Sequence, residues 1–155
     1  MSLTLCKTFL KGLIALVFFS VFVPAFAWAN HHHDLNGTWQ LVPTRSQFGG
    51  EPVLQTGTIT INDRQGNITV SRNFTFDGAS QTVSYSSMID GKENATIQEG
   101  GVTAKAKWEG DMLRVTATQD GITTVERFRL TTDGSMLMTV SRPGHHEEVL
   151  LFQRA

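Results

Sequence analysis

The segment Leu35-Asn36-Gly37-Thr38-Trp39-Gln40-Leu41 sets the architecture, because it opens a long series of short alternating stretches and places a tryptophan two residues after a glycine. Turn sequences follow it at regular distances, and their glycines are nine to thirteen residues apart. This spacing fits strands of about five to nine residues that are joined as hairpins. The turn sequences are Gly66-Asn67, Asp77-Gly78, Asp90-Gly91, Gly100-Gly101, Glu109-Gly110-Asp111, Asp120-Gly121, Asp133-Gly134 and Pro143-Gly144.

Between the turns, apolar side chains alternate with threonine, serine or charged side chains, as in Ile59-Thr60-Ile61 and Val83-Ser84-Tyr85. A period of two is typical of half-buried strands. We count about ten strands, of which 94–98 is the weakest, and no helical pattern interrupts them. Parallel strands would need crossovers of a dozen or more residues, so consecutive hairpins predict an antiparallel meander.

The meander has two ways to bury its apolar face: it can fold over as a sandwich or close into a barrel. The unbroken hairpin order leaves no Greek-key connection and favours closure. An outer-membrane barrel would have an apolar outer face and strands of about 9–11 residues. Here the polar face carries several cations on mostly shorter strands. The sequence therefore predicts an all-β, up-and-down barrel of about 8–10 strands with an apolar interior. The cations are Lys105, Lys107, Arg114, Arg127 and Arg129.

The first 29 residues differ in kind from the rest of the chain. Lys7 and Lys11 precede an apolar run that ends at overlapping A-x-A sites, 25–27 and 27–29, which is the pattern of a secretory signal peptide. Cleavage could leave Trp28 or Asn30 first, and we favour Asn30; an uncleaved membrane anchor is the alternative. The predicted divisions are a signal peptide (1–29), a His-rich tail (30–36) and a barrel domain (37–155). We expect the protein in the periplasm or outside the cell.

Loss of this segment would change both the cysteine count and the charge. The only cysteine, Cys6, lies within it, so the mature chain would have no disulfide. Without Lys7 and Lys11, the 13 basic residues fall to 11 against 14 acidic ones, a net charge of about −3. We expect no nucleic-acid partner, because no basic patch is present, and no membrane embedding after cleavage.

Gly37-Thr38-Trp39, together with Arg154 near the chain end, resembles the signature shared by lipocalins and avidins, the calycin superfamily. The resemblance implies that Trp39 plugs one end of the barrel and that Arg154 packs across its ring. The chain also resembles a lipocalin-like family of small secreted bacterial proteins. That likeness rests on Leu35-Asn-Gly-Thr-Trp, Ala106-Lys-Trp-Glu-Gly-Asp, Glu126-Arg-Phe-Arg-Leu and Leu151-Phe-Gln-Arg.

The resemblance is incomplete in two places. A C-terminal helix after the barrel is missing, and 43–52 is too short for the helical lid of fatty-acid-binding proteins. What the resemblance implies is therefore the architecture and a general capacity for small apolar ligands, without a particular ligand.

Two charges fall on the apolar face, Arg72 and Glu126. A buried charge there is unfavourable unless it is paired. The two side chains therefore form an ion pair with each other, face a ligand or lie near a solvent-filled opening of the barrel. A purely structural ion pair, or a slipped strand register, is the alternative explanation. Small side chains such as Ala104 and Ala106 leave room for a cavity, although close aromatic packing could fill it. The predicted ligand-binding residues are Arg72, Phe74, Tyr85, Trp108, Thr124, Glu126 and Phe128.

The histidines form a second group. Cleavage after Ala29 would place His32 third in the mature chain, where the terminal amine, two amide nitrogens and an imidazole suit Cu(II) or Ni(II). Consecutive residues alone cannot build a tetrahedral zinc site. The expected cofactor is none, with copper, nickel or zinc on the histidines as the alternative. The candidate ligands are His31, His32, His33, His145 and His146.

The sequence is compatible with three functions. The first is an exported lipocalin-like protein that binds or carries a small hydrophobic molecule in the barrel. The second is a periplasmic metal-binding protein that uses the His-rich tail. The third is an enzyme with a site at the barrel mouth. It is the weakest of the three, because the sequence contains no G-x-S-x-G, H-E-x-x-H or phosphate-binding loop. The sequence leaves the ligand and the oligomeric state open.

Overall fold

The computed structural model describes residues 35–90, the strand Asn94–Gln98 and residues 102–155. These residues form ten strands and one short 3-10 turn, Pro43–Arg45, with no α-helix among them. Accordingly, the described part has no helix with the length and apolar character to cross a membrane. The strands are β1 (Gly37–Leu41), β2 (Thr56–Arg64), β3 (Asn67–Phe76), β4 (Ala79–Met88), β5 (Asn94–Gln98), β6 (Val102–Glu109), β7 (Met112–Gln119), β8 (Ile122–Leu130), β9 (Met136–Ser141) and β10 (Glu148–Arg154).

All ten strands belong to one antiparallel sheet with the order β4-β3-β2-β1-β10-β9-β8-β7-β6-β5. The first strand pairs with the second and with the last, so that Trp39 lies opposite both Ile59 and Arg154. The two edge strands, β4 and β5, lie next to each other. The predicted meander barrel is confirmed, and it is nearly closed, with a seam between β4 and β5.

Two-residue turns fix the register of the hairpins. Asp77-Gly78 joins β3 to β4 and Asp120-Gly121 joins β7 to β8, and all four residues have positive φ. Such turns match the right-handed twist of paired strands, and Asp-Gly is a preferred sequence for them. The resulting register pairs Arg72 with Val83 across β3 and β4.

One end of the barrel is closed by Trp39, which is fully buried. The Arg154 guanidinium lies 4.4 Å from the centre of the indole ring, and its Nη1 donates to the Asn36 carbonyl oxygen at 2.9 Å. The indole Nε1 donates to the Leu35 carbonyl oxygen at 2.9 Å. Gly37 has φ 129°, and a Cβ there would lie 2.8 Å from Arg154 Nη1. Glycine at this position therefore allows Arg154 to lie close to the backbone.

The interior next to Trp39 is filled by large apolar side chains. Packing of this kind supplies the main stabilisation of the fold, at about 1.5–3 kcal/mol for each fully buried large side chain. The fully buried residues include Ile59, Ile61, Ile68, Leu113, Phe128, Met136, Met138 and Phe152. This packed half of the barrel lies beneath a cavity at the other end.

Candidate functional site

A cavity of about 500 Å³ occupies the end of the barrel opposite Trp39 and is partly open to solvent. Its walls are the ends of three hairpins, β3–β4, β7–β8 and β9–β10, and the loop between β1 and β2. The residues that line it include small side chains, Val83, Thr124 and Val140, as well as large ones, Phe74 and Leu150. The side chains at this end leave a space between them, whereas those next to Trp39 fill the interior.

The floor of the cavity is an ion pair that crosses the barrel. Arg72 on β3 contacts Glu126 on β8, and these strands lie five positions apart in the ten-stranded sheet. Tyr85 on β4 donates its hydroxyl to Glu126 Oε2 at 2.5 Å, while Arg72 Nη1 donates to Oε1. Both oxygens of Glu126 act as acceptors, which is the state of an ionised carboxylate.

Burial differs across these three groups. Glu126 is 0% exposed and Tyr85 is 1% exposed, whereas the Arg72 side chain retains 20% of its surface. Arg72 thus lies between the cavity and the two buried groups, and its guanidinium lies 6.0 Å from the centre of the Phe74 ring. Of the three floor groups, Arg72 is therefore the one that a ligand in the cavity can contact.

The pKa values of the floor residues follow from this arrangement. Burial raises the pKa of the Tyr85 hydroxyl well above its usual value, and the neighbouring Glu126 raises it further, so the phenol stays a neutral donor. Burial is the largest single effect and lowers the pKa of Arg72, but the charge of Glu126, the hydrogen bond to it and the neighbouring Tyr85 and Glu148 together outweigh burial, so the pKa lies above its usual value. The guanidinium therefore remains charged although it is largely enclosed.

The rim carries a second group of charges. Arg142 contacts Glu148 and lies 3.8 Å from Glu51 Oε2, while His145 Nδ1 lies 2.5 Å from Glu51 Oε1. The hydrogen bond from His145 lowers the pKa of Glu51; burial opposes this, and the charges of Arg142 and His145 add to it. Gly49, with φ 61°, allows the same loop to approach closely, because a Cβ there would lie 2.9 Å from the Glu147 carbonyl oxygen. These contacts hold the β1–β2 loop against the β9–β10 turn.

The similarity of this chain to known proteins lies in its fold. No protein-family model matches the chain, and no curated protein matches its sequence. The fluorescent protein UnaG is 21% identical, with a TM-score of 0.56 over 77% of this chain and 96% of its own. Fatty-acid-binding protein 1 of Echinococcus granulosus is 13% identical, with a TM-score of 0.59 over 79% of this chain and 98% of its own. The chain has the lipocalin-like β-barrel fold of these structures.

A third solved structure is also similar to this lipocalin-like barrel. A fatty-acid-binding protein of Schistosoma mansoni is 18% identical, with a TM-score of 0.57 over 79% of this chain and 96% of its own. At identities this low, the likeness concerns the fold alone.

The predicted ligand-binding residues of the lipocalin-like barrel lie in three kinds of position. Arg72, Phe74 and Thr124 line the cavity. Tyr85 and Glu126 lie directly beneath Arg72 and hold it in place. Phe128 is fully buried in the core and Trp108 packs against that core, and neither is among the residues that line the cavity.

Sequence reasoning missed several lining residues. Arg142 and Glu148 flank the Pro143-Gly144 turn, and Glu148 shares its inward face with Leu150 and Phe152. The rule that identified Arg72, a charge in register with buried apolar residues, would have found Glu148 as well. Glu51 and Leu54 belong to an irregular loop without periodicity, and no sequence signal indicated them.

The predicted metal ligands lie in two places. His31, His32 and His33 are outside the described residues, so the metal-binding tail stays a prediction. His145 contacts Glu51, and His146 is exposed in the same turn. Within the described residues, no three His, Cys, Asp or Glu side chains are grouped so that they could hold a metal ion.

Proposed function

We propose that this protein binds a small hydrophobic molecule in the cavity of the lipocalin-like barrel. The single observation that carries the proposal is the cavity of about 500 Å³ above the Arg72–Glu126 pair. Cavities of about 300–1,000 Å³ with apolar walls and a few convergent polar groups are typical of small-molecule sites. Phe74, Val83 and Leu150 supply apolar wall here, and Thr124 and Arg72 supply polar groups.

The matched structures support the same class of ligand. Two of the matched proteins are named fatty-acid-binding proteins, and the Schistosoma mansoni protein is described in complex with arachidonic acid. Their ligands are apolar chains with one polar end. The cavity combines apolar side chains, among them Phe74, Val83 and Leu150, with the polar floor at Arg72, and it therefore suits a molecule of that general shape.

The test is a matched pair of cavity and surface substitutions. Val83 lines the cavity, whereas Val125 lies beside Glu126 on the outer face of β8. We expect Val83→Phe to weaken the binding of an apolar fluorescent probe by at least about tenfold, because the ring occupies ligand space. Val125→Phe adds the same volume outside the barrel and should leave binding unchanged. Titrations of both purified variants, with circular dichroism to verify folding, give the comparison.

Two results would count against the proposal. One is an equal affinity of the Val83→Phe variant and the unchanged protein for the probe. The other is the absence of saturable binding across a panel of long-chain alcohols, fatty acids and aromatic compounds. Because each buried methylene contributes about 0.8 kcal/mol, affinity should also rise about fourfold per added carbon until the cavity is full.

We also propose that the protein is exported after removal of residues 1–29. The support is the order of Lys7 and Lys11, the apolar run and the A-x-A sites. N-terminal sequencing of the protein purified from its native host should give Asn30 as the first residue. A mature chain that retains Met1 would contradict export by cleavage at this site.

A further inference from the structure

We infer that the ligand carries an uncharged polar group, such as a hydroxyl, ester or amide, and that the cavity discriminates against carboxylates. The inference rests on the proposed function and adds the chemical class of the ligand. It concerns the place where the polar end of the ligand meets the protein, the floor formed by Arg72, Tyr85 and Glu126.

The floor already contains a carboxylate of the protein itself. Glu126 is fully buried and receives one hydrogen bond from Arg72 and one from Tyr85. A guanidinium and a phenol are the donors that an entering carboxylate would need. Because Glu126 accepts from both groups and neutralises the charge of Arg72, the polar end of the cavity presents a neutral pair to the ligand rather than a free cation.

A ligand carboxylate could take Arg72 only at the expense of Glu126. The Glu126 side chain is anchored on β8, deep enough to have no contact with solvent. If Arg72 turned away, Glu126 would keep Tyr85 as its only donor among the contacts described above. A buried carboxylate without a cation is strongly unfavourable. The free energy lost when Arg72 leaves Glu126 is therefore larger than the free energy gained from the new ion pair with the ligand.

The rim adds no free cation. Among the described residues that line the cavity, two guanidiniums, Arg72 and Arg142, stand against three carboxylates, Glu51, Asp120 and Glu148. Arg142 contacts Glu148 and also lies 3.8 Å from Glu51. A carboxylate at the mouth would thus face like charges, which is unfavourable in a partly enclosed space.

A neutral polar group avoids this conflict. A guanidinium has five N–H donors, and the described contact with Glu126 uses Nη1. A hydroxyl or carbonyl oxygen of the ligand can accept from another of these donors while the ion pair stays intact. Gln81 and Thr124 also line the cavity and offer neutral donors and acceptors.

The experiment compares ligands with the same chain. Displacement of an uncharged fluorescent probe is measured with lauryl alcohol, methyl lauryl ether, lauramide and laurate, at a pH well above the pKa of the acid. We expect the three neutral compounds to bind at least about tenfold more tightly than laurate. Laurate that binds as tightly as the alcohol, or more tightly, would overturn the inference and leave the proposed function standing. Failure of all four compounds to bind would overturn the proposed function and the inference with it.

Glu126→Gln tests the residue that carries the inference. The substitution keeps the shape of the side chain and an acceptor for Tyr85, but it removes the internal charge. We expect the affinity for laurate to rise about tenfold and that for lauryl alcohol to change little. Glu109→Gln removes a carboxylate that pairs with Lys107 and Arg114, residues of the polar face, and should leave both affinities unchanged. An unchanged preference in a folded Glu126→Gln variant would remove Glu126 from the explanation. If that variant does not fold, the four ligands with the unchanged protein still decide the question.

Discussion

Glu51 and His145 form a contact that makes the rim of the cavity sensitive to acid. The hydrogen bond from His145 holds the pKa of Glu51 below its ordinary value of 4.5, with burial opposing and Arg142 adding to the effect. A carboxyl whose pKa is lower in the folded than in the unfolded state stabilises the fold above its unfolded pKa. That stabilisation is lost as the pH falls through the lowered, folded value.

We therefore expect the β1–β2 loop to loosen only below about pH 4.5. The readouts are the carboxyl chemical shift of Glu51 in an NMR titration and the hydrogen exchange of its amide, which donates to the Phe48 carbonyl oxygen at 2.8 Å. Glu51→Gln should make the protection of the loop amides, relative to their intrinsic exchange rates, low and independent of pH in this range. Glu147→Gln removes a carboxylate that contacts Ser141 instead, and should keep the transition. A Glu51 midpoint at or above 4.5 would contradict the assignment.

The strands were predictable from the sequence because the information that forms them is local. Alternation along Ile59–Ile61 and along β3 identified the inward faces, and Asp-Gly turns with positive φ fixed the hairpins. The same alternation placed Arg72 and Glu126 on the inward face. It could not decide between an ion pair and a slipped register, because the two residues are 54 positions apart in sequence. Only closure of the barrel brings them together.

The cavity walls were harder to predict than the strands. The segment between β1 and β2 has no periodicity, yet it brings Glu51, Pro52 and Leu54 to the mouth. Phe128 and Trp108 were expected to line the cavity because their side chains share its face. Their depth along the barrel, rather than their direction, keeps them out of it. Depth depends on strand tilt and on the volumes of neighbours from distant strands, which alternation does not encode.

The seam between β4 and β5 is a property of the closed barrel as a whole. Each strand between them in the sheet order pairs on both sides, whereas β4 pairs with β3 alone and β5 pairs with β6 alone. The hairpin pattern predicts closure but does not say which neighbours stay unpaired. Since β4 also contributes Gln81 and Val83 to the cavity, the seam runs beside the proposed ligand site.

Amide hydrogen exchange can test whether β4 is unpaired at the seam, and β3 of the same hairpin serves as the control. β3 and β4 each have ten residues, but β3 pairs on both sides and β4 on one. In an antiparallel edge strand, every second amide points away from the partner strand. We expect a period of two along β4, with every second amide exchanging orders of magnitude faster than its neighbours, and protection throughout β3. Uniform protection along β4 would mean that hydrogen bonds to β5 close the seam. If the ligand lies against β4, its binding should slow exchange at the cavity end of that strand, around Gln81 and Val83, more than at the other end.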